Sequence, residues 1–441
     1  MNNLEVAVPK GFHEEREYVF KFIFSEILGI QYVFKESENN NYVIQFDGKS
    51  IIIHDAFFPQ LKSQGGYCLS LLPNVRYVKN FFTVEADIPV LYGNENVSST
   101  PDCIDCEIDI ISSIYFMLTR WEERVYGNDA YDIHSRFIGS RSIAFRNNFL
   151  KRPIVNEYIE MLWNMMLSLG FNACRKERRF EIIPTHDIDR LLASKPLFRN
   201  IKYSILSVLK GEIRSALYIL THLFTNPFDL FGFFMDCSEK AGIKSHFYFM
   251  SSTFSTDNSQ EPGYLSDSRF KGIVKNINDR GHFVGIHPSY FSYKNPERWT
   301  KEKQLLEDAI EQPISEGRQH YLRLLLPETL SIWESNKMKI DSSLSYADVD
   351  GFRCGTGDLF HYFDFNNHSE YNLLERPLVV MEGTLLDYRK MSYKEAELVL
   401  NDYKGICKKY KMPFTILFHN TSFIGAGTIK MRKLYRNLLL S

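Results

Sequence analysis

From residue 180 to the end of the chain, short apolar runs alternate with amphipathic stretches at regular spacing. The runs fall at 180–185, 245–250, 283–287, 320–325, 378–382 and 414–419, and they read as buried strands. Between them, 269–279 and 302–311 carry apolar residues at helical spacing. Strand and helix in alternation predict a parallel α/β architecture. Six or more strands over about 260 residues suit a barrel better than an open sheet.

The first part of the chain is patterned differently. Two strands, Tyr42–Phe46 and Ile51–His54, flank the turn pair Asp47 and Gly48. Val19, Phe20, Ile23, Phe24 and Ile27 make one face of a helix over 18–28. A second helix is predicted over 109–124, with Ile110, Ile111, Ile114, Tyr115, Leu118 and Trp121 on one side. Pro153 opens a third that runs to about Ser168. Residues 125–152 are polar and irregular, and the basic stretch 171–179 reads as a linker. The expected fold class is therefore α/β: a smaller α/β or α+β accessory domain over 1–175, then a distorted (β/α) barrel over 176–441.

Residues 196–235 interrupt the barrel pattern just after its first strand. Ile201, Ile205, Leu206, Val208, Leu209, Ile219, Leu220, Leu223 and Phe224 recur there beside Lys202, Lys210, Arg214 and His222. Such a mildly basic amphipathic insertion either packs over the barrel, or forms a lid or a membrane-surface contact for a lipid-linked substrate.

Composition narrows the function classes. The chain has 441 residues and a formal net charge of −2, with no basic stripe of the kind nucleic-acid binders show. The first ten residues hold no apolar signal core, and no apolar run is long enough to span a bilayer, so a cytoplasmic location is expected. Seven scattered cysteines give no disulfide framework. Cys103 and Cys106 form a lone CxxC in an acidic setting, without the second pair that a zinc site needs. The 35 Phe and 25 Tyr fit a large core or an aromatic sugar groove.

Chemistry in a parallel barrel gathers where strands end. The first strand runs into Thr185, His186, Asp187, Ile188 and Asp189. Carboxylates two apart on extended chain face the same side. Holding them together is costly unless a cation joins them, although a structural turn or helix cap uses the same residues. A second strand ends at His287, before the strand-breaking Pro288, and the last ends at His419. Imidazole at a strand end is either a metal ligand or an ordinary buried or surface histidine.

In order and spacing these residues resemble the polysaccharide deacetylase family, the NodB-homology domain, over roughly 178–441. The resemblance implies Asp187 as catalytic base, Asp189 and His287 as metal ligands, and His419, in Leu417–His419, as general acid. It implies an arginine that orients the base, Arg318 or else Arg323. Tyr290, His320 and Arg353 are the expected sugar contacts, with Tyr346, Asp348 and Asp350 beside Arg353. The stretches 341–355 and 120–124 resemble a subgroup found in bacterial surface-polysaccharide loci. The implied activity is metal-dependent removal of N-acetyl groups from a free, lipid-linked or polymeric sugar, with zinc as the leading metal.

One position departs from the family pattern. The usual second metal histidine, four residues after the first, is here Phe291. His320 or His186 could replace it, or a water. Glu382, at another strand end, could hold His419 or Arg353. Two further readings stay open: a non-catalytic carbohydrate-binding or assembly protein on a deacetylase-like barrel, and a metal-free C–N hydrolase. Oligomeric state is not legible.

Overall fold

The structure, a computed structural model, describes residues 4–191, 195–251 and 264–441. The chain forms two compact units. The first comprises the residues up to Asp132, Phe137–Arg179 and Phe352–Asn372. The second comprises Ile133–Arg136, Phe180–Gly351 and Leu373–Ser441. The main division thus falls at 179/180, and each unit takes one segment from beyond it.

In the first unit a mixed sheet is built from β1 (Glu5–Pro9), β2 (Val33–Ser37), β3 (Tyr42–Phe46), β4 (Lys49–Ile53), β7 (Gly93–Ser99) and β8 (Cys103–Ile108), in the order β2-β1-β3-β4-β8-β7. A ribbon of β5 (Arg76–Val78) and β6 (Ile88–Val90) lies apart from it. Asp47 and Gly48 close the β3–β4 hairpin with φ of 49° and 76°, both left-handed, as a two-residue hairpin turn demands. Cys103 and Cys106 are three apart on β8, so they point to opposite faces, and both are free thiols.

The helix expected over 109–124 stops early, at Thr119. Asp109 caps its start, accepting from the Ser112 amide at 2.9 Å. Arg120 then takes a left-handed φ of 53°. Its fully buried guanidinium reaches both Glu122 and Glu123. In an unbroken helix Glu122, two residues on, would face away. The break brings the two carboxylates to one cation.

The second unit carries a curled parallel sheet. Its strands are β9 (Glu181–Ile188), β10 (His246–Phe249), β11 (Phe283–Ile286), β12 (Glu316–Gly317) and β13 (Ile340–Asp341). After β14 (Phe360–Asp364), which belongs to the first unit, come β15 (Ser369–Glu375), of which the second unit holds the residues from Leu373 on, β16 (Leu378–Met381) and β17 (Pro413–Leu417). From β15 the order runs β15-β13-β12-β11-β10-β9-β17-β16, and the registers are parallel throughout. Only Arg376 and Pro377 separate β15 from β16, so one run of chain pairs with β13 and then with β17. β9 and β10 are buried almost residue by residue, which is why they read as unbroken apolar runs.

One predicted strand is corrected. Residues 320–325 do not form a strand; His320–Leu322 is a tight turn, with Tyr321 and Leu322 at positive φ. The strand lies upstream, as the two-residue β12. It carries no apolar signal because Glu316 is buried against His246 (2.5 Å) and Arg376 (3.2 Å). Gly317 is pressed onto β11, where a Cβ would meet the Ile286 carbonyl at 2.1 Å.

Candidate active site

The end of β9 sends alternate side chains to opposite sides of the sheet. His186 goes to the helix side. Its Nδ1–H donates to the Phe418 carbonyl (3.0 Å), its Nε2 accepts from the Tyr435 hydroxyl (3.1 Å), and its ring stacks on Phe234. Burial pushes its pKa down to about 3, so it stays neutral. His186 is therefore a packing residue and not the replacement ligand. Thr185 and Asp187 point the other way, onto Arg318.

Arg318 follows β12 and is fully buried. Its Nη1 donates to the Thr185 hydroxyl (2.8 Å) and to Asp187 Oδ1 (2.9 Å). Its Nε and Nη2 donate to the Ser342 carbonyl (2.7 Å) and hydroxyl (2.9 Å). The guanidinium is thus held from both sides before it meets Asp187. Burial pushes the Asp187 carboxyl up, but His287, Arg318 and His419 outweigh it and hold the group below the usual carboxylate range. Asp187 is an oriented carboxylate. Arg323, the other candidate for this role, is instead sandwiched between the Tyr290 and Tyr293 rings and donates to the His134 carbonyl.

His287 ends β11. Its Nδ1–H donates to the Arg318 carbonyl (2.7 Å), which leaves Nε2 as the ring nitrogen without a hydrogen-bond partner. That Nε2 lies 3.6 Å from Asp187 Oδ2 and 3.6 Å from Asp189 Oδ1. His320 stands on the turn after β12, with its Nε2 3.9 Å from Asp189 Oδ1 and its ring 4.9 Å from that of His287. Burial first, then His287 and His419, hold the His320 pKa well below its ordinary value, so this ring is neutral.

Asp189, His287 and His320 each place one ligand atom within 4.8 Å of the others, the one such trio among the described residues. Asp189 Oδ1 and His287 Nε2 are buried and make no hydrogen bond. Buried polar atoms left without partners are costly. One carboxylate and two imidazoles form a donor set suited to a divalent metal, zinc among them. The residues present therefore fit a cation. Phe291 is half exposed on the following loop, with Arg298 over its ring.

His419 follows β17. The Glu382 carboxylate accepts from its ring Nδ1 (2.9 Å) and its backbone amide (2.9 Å), and also from the Ser422 hydroxyl (2.6 Å). Its Nε2 faces Asp187 Oδ2 at 3.9 Å. Burial opposes the charge on His419, but Glu382, Asp189 and Asp187 overcome it and raise the pKa to about 10. The ring is an imidazolium at neutral pH. Of the two partners open to Glu382 from sequence, the structure gives it His419.

Asp187, Asp189, His320 and His419 line a cavity of about 280 Å³. The structure does not bring Arg353 or Tyr290 to its lining. Arg353 is in the first unit, where both ends of its fork bind Glu123. Asp350 is occupied by Arg389 and by the Tyr403 hydroxyl, and Tyr346 is buried. The Tyr290 hydroxyl pairs with His134 Nδ1 at 2.9 Å.

The cavity lining includes Arg136, Tyr321, Asp387 and Tyr388, none of which stood out in the sequence. Arg136 donates to the Tyr388 hydroxyl (3.2 Å) and lies 5.9 Å from the centre of the Tyr321 ring. It comes from the short segment Ile133–Arg136, far upstream of β9 in the chain. No local pattern marks that segment as part of the second unit.

A family model described as a family of unknown function (DUF7033) matches residues 4–170. No curated protein matches the chain. Among solved structures, a Mycobacterium smegmatis protein described as a polysaccharide deacetylase is similar, with TM-score 0.38 and 11% identity over 61% of this chain and 86% of its own. A polysaccharide deacetylase of Bacillus cereus follows with TM-score 0.28 and 13% identity, over 60% and 85% of the two chains. A CE4-family pseudoenzyme of Bacillus anthracis gives TM-score 0.29 and 12% identity over 59% and 60%. These overlaps are loose.

Proposed function

We propose that this chain is a metal-dependent hydrolase that removes N-acetyl groups from a sugar, free, lipid-linked or polymeric. The observation that carries the reading is the placement of Asp187. It lies between the Arg318 guanidinium and the His419 imidazolium, beside the trio Asp189, His287 and His320. A carboxylate base, a protonated acid and a metal-competent trio around one cavity are the parts that amide hydrolysis needs.

A divalent cation such as zinc, held by Asp189, His287 and His320, would polarise the acetyl carbonyl and acidify water there. Asp187, kept ionised and fixed by Arg318, takes a proton from the attacking water. The water oxygen adds to the carbonyl carbon. As the C–N bond breaks, His419 gives its Nε2 proton to the departing amine nitrogen, and Glu382 holds the ring in place for that transfer. Acetate and the free amino sugar result. Tyr321, Tyr388 and Arg136 offer the aromatic and hydrogen-bonding surface that a hydroxyl-rich ring uses. A role in surface-polysaccharide assembly is the setting that the resemblance of 341–355 and 120–124 supports.

The test is elemental analysis of the purified protein together with acetate release from N-acetylated sugars. Near-stoichiometric metal that Asp189→Ala and His287→Ala both lose, with acetate release by the wild type, supports the reading. A wild type that takes up no metal after reconstitution would sink it.

A further inference from the structure

The insertion after β9 folds as a helical hairpin, Pro196–Leu209 and Ile213–Thr221, and it is built inside out. Its buried side chains are mainly small or polar: Asn200, Ser204 and Ser207 on the first helix, Ser215 and Ala216 on the second, with Ile219 beside them. Its long apolar side chains face outward. Phe198 is 69% exposed, Ile205 57%, Leu209 76% and Leu217 58%. On the first helix Phe198, Ile201, Ile205 and Val208 recur every three or four residues, one continuous outer stripe. Ile213, Leu217 and Leu220 make the matching stripe on the second. A water-soluble helix pair puts its small residues outside and its Leu and Ile between the helices. Close helix contact through Ser and Ala, with apolar chains turned outward, is the pattern of helices surrounded by lipid.

Charge identifies the occupant of this face. Residues 195–225 hold five basic residues, Lys195, Arg199, Lys202, Lys210 and Arg214, against one acid, Glu212. Glu212 is already paired with Lys430. Lys195, Lys202, Lys210 and Arg214 are exposed among the apolar stripes. The helices of 14 and nine residues reach about 21 and 14 Å at 1.5 Å per residue, short of a ~30 Å hydrocarbon core. No described helix is long and apolar enough to cross a membrane. Length excludes a span by this hairpin, and the apolar stripes with basic flanks match an interfacial helix.

We infer that the outer face of the 196–221 hairpin docks this protein on an anionic bilayer surface. The inference stands apart from the proposed chemistry. It bears on that chemistry through one loop: both hairpin helices pack on Gly425–Gly427, and the same loop carries Thr421 and Ser422 into the catalytic cavity.

The test is co-sedimentation of the full chain with two kinds of vesicle. One is phosphatidylcholine alone; the other is two parts phosphatidylcholine to one part phosphatidylglycerol. Binding to the anionic vesicles at least ~10-fold above the neutral ones is expected, falling as salt rises. The combined Ile205→Ser, Leu209→Ser and Leu217→Ser variant, changed only at exposed positions, should drop to background with unchanged circular dichroism. Lys202→Glu and Lys210→Glu should each weaken binding ~5-fold or more, the equivalent of about 1 kcal/mol per basic residue. Wild-type binding that is absent, or indifferent to both variant sets, overturns the proposal. So does light scattering that shows a wild-type dimer turned to monomer by the serine variant, since the occupant is then a second copy.

Discussion

One carboxylate oxygen of Glu382 accepts from both the ring Nδ1 and the backbone amide of His419, fixing that imidazole from two directions. The pair sets a pH dependence. Held by Glu382, His419 keeps its proton up to about 10. If it is the general acid, activity should fall about tenfold per pH unit above that value. In Glu382→Gln the alkaline limb should move down toward the ordinary histidine range near 6.5. The stability linkage has the same sign. A histidine whose folded pKa is raised contributes stability that is complete below ~6.5 and is lost as pH rises through about 10. Activity and urea midpoints measured from pH 6 to 11 check both. An alkaline limb unmoved by Glu382→Gln would remove His419 from the acid role.

The two histidines that competed for the missing ligand position give opposite expectations. His320→Ala should lower zinc affinity by more than ~100-fold, since even partners of ligands cost 10–100-fold. His186→Ala should leave affinity within a few-fold. It should instead lower stability, because the ring stacks on Phe234 and is bonded at both nitrogens. Isothermal titration of the metal-stripped proteins with zinc separates the two.

Much of this site was legible because its residues end strands that are themselves apolar. His287 and His419 each follow an apolar strand, and Asp187 stands near the end of one, runs that period and composition expose. His320 was harder to place. Its strand is only Glu316 and Gly317, whose polarity comes from an interior ion pair with His246 and Arg376. Pattern reading therefore shifted the strand onto the residues after it. Arg136 was out of reach altogether. It lies in four residues that join the second unit from a polar stretch, with no period of their own. Arg353 is the opposite case: a polar loop residue resembles a sugar contact, and the structure gives it Glu123 as a partner outside the cavity lining.

Arg318 is the structural key to Asp187. Replacing it by alanine leaves a buried carboxylate without its cation, a change that costs about 3–5 kcal/mol. Arg318→Lys keeps the charge but cannot serve Thr185, Asp187 and Ser342 together. Urea unfolding should show the lysine variant closer to wild type than the alanine variant, with turnover of both at least ~100-fold down. A lysine variant of wild-type activity would show that charge alone suffices.

At the cavity, Arg136 meets Tyr388 and Tyr321 but touches neither Asp187 nor the metal-competent trio. Arg136→Ala should therefore raise KM on an N-acetylated sugar ~10-fold or more, the scale of one hydrogen bond to a charged group. Metal content and the alkaline limb should not change. A fall in kcat with KM constant would place Arg136 in the chemistry instead.

The buried set of Arg120, Glu122, Glu123 and Arg353 in the first unit predicts a stability effect without a kinetic one. Burial pushes the Glu123 carboxyl up, but Arg353 and Arg120 pull it further down, so it is ionised in the fold. Glu123→Ala takes a carboxylate away from two buried guanidinium groups, Arg120 and Arg353, and the expected loss is about 3–5 kcal/mol. Arg353→Ala leaves Glu123 with Arg120 alone and should cost less. Below saturation, neither should change kcat/KM once the folded fraction is corrected for, because both residues are in the first unit and outside the cavity lining. Urea midpoints paired with sugar kinetics decide it. A KM change in Arg353→Ala at unchanged stability would return Arg353 to the sugar site that the sequence alone assigned to it.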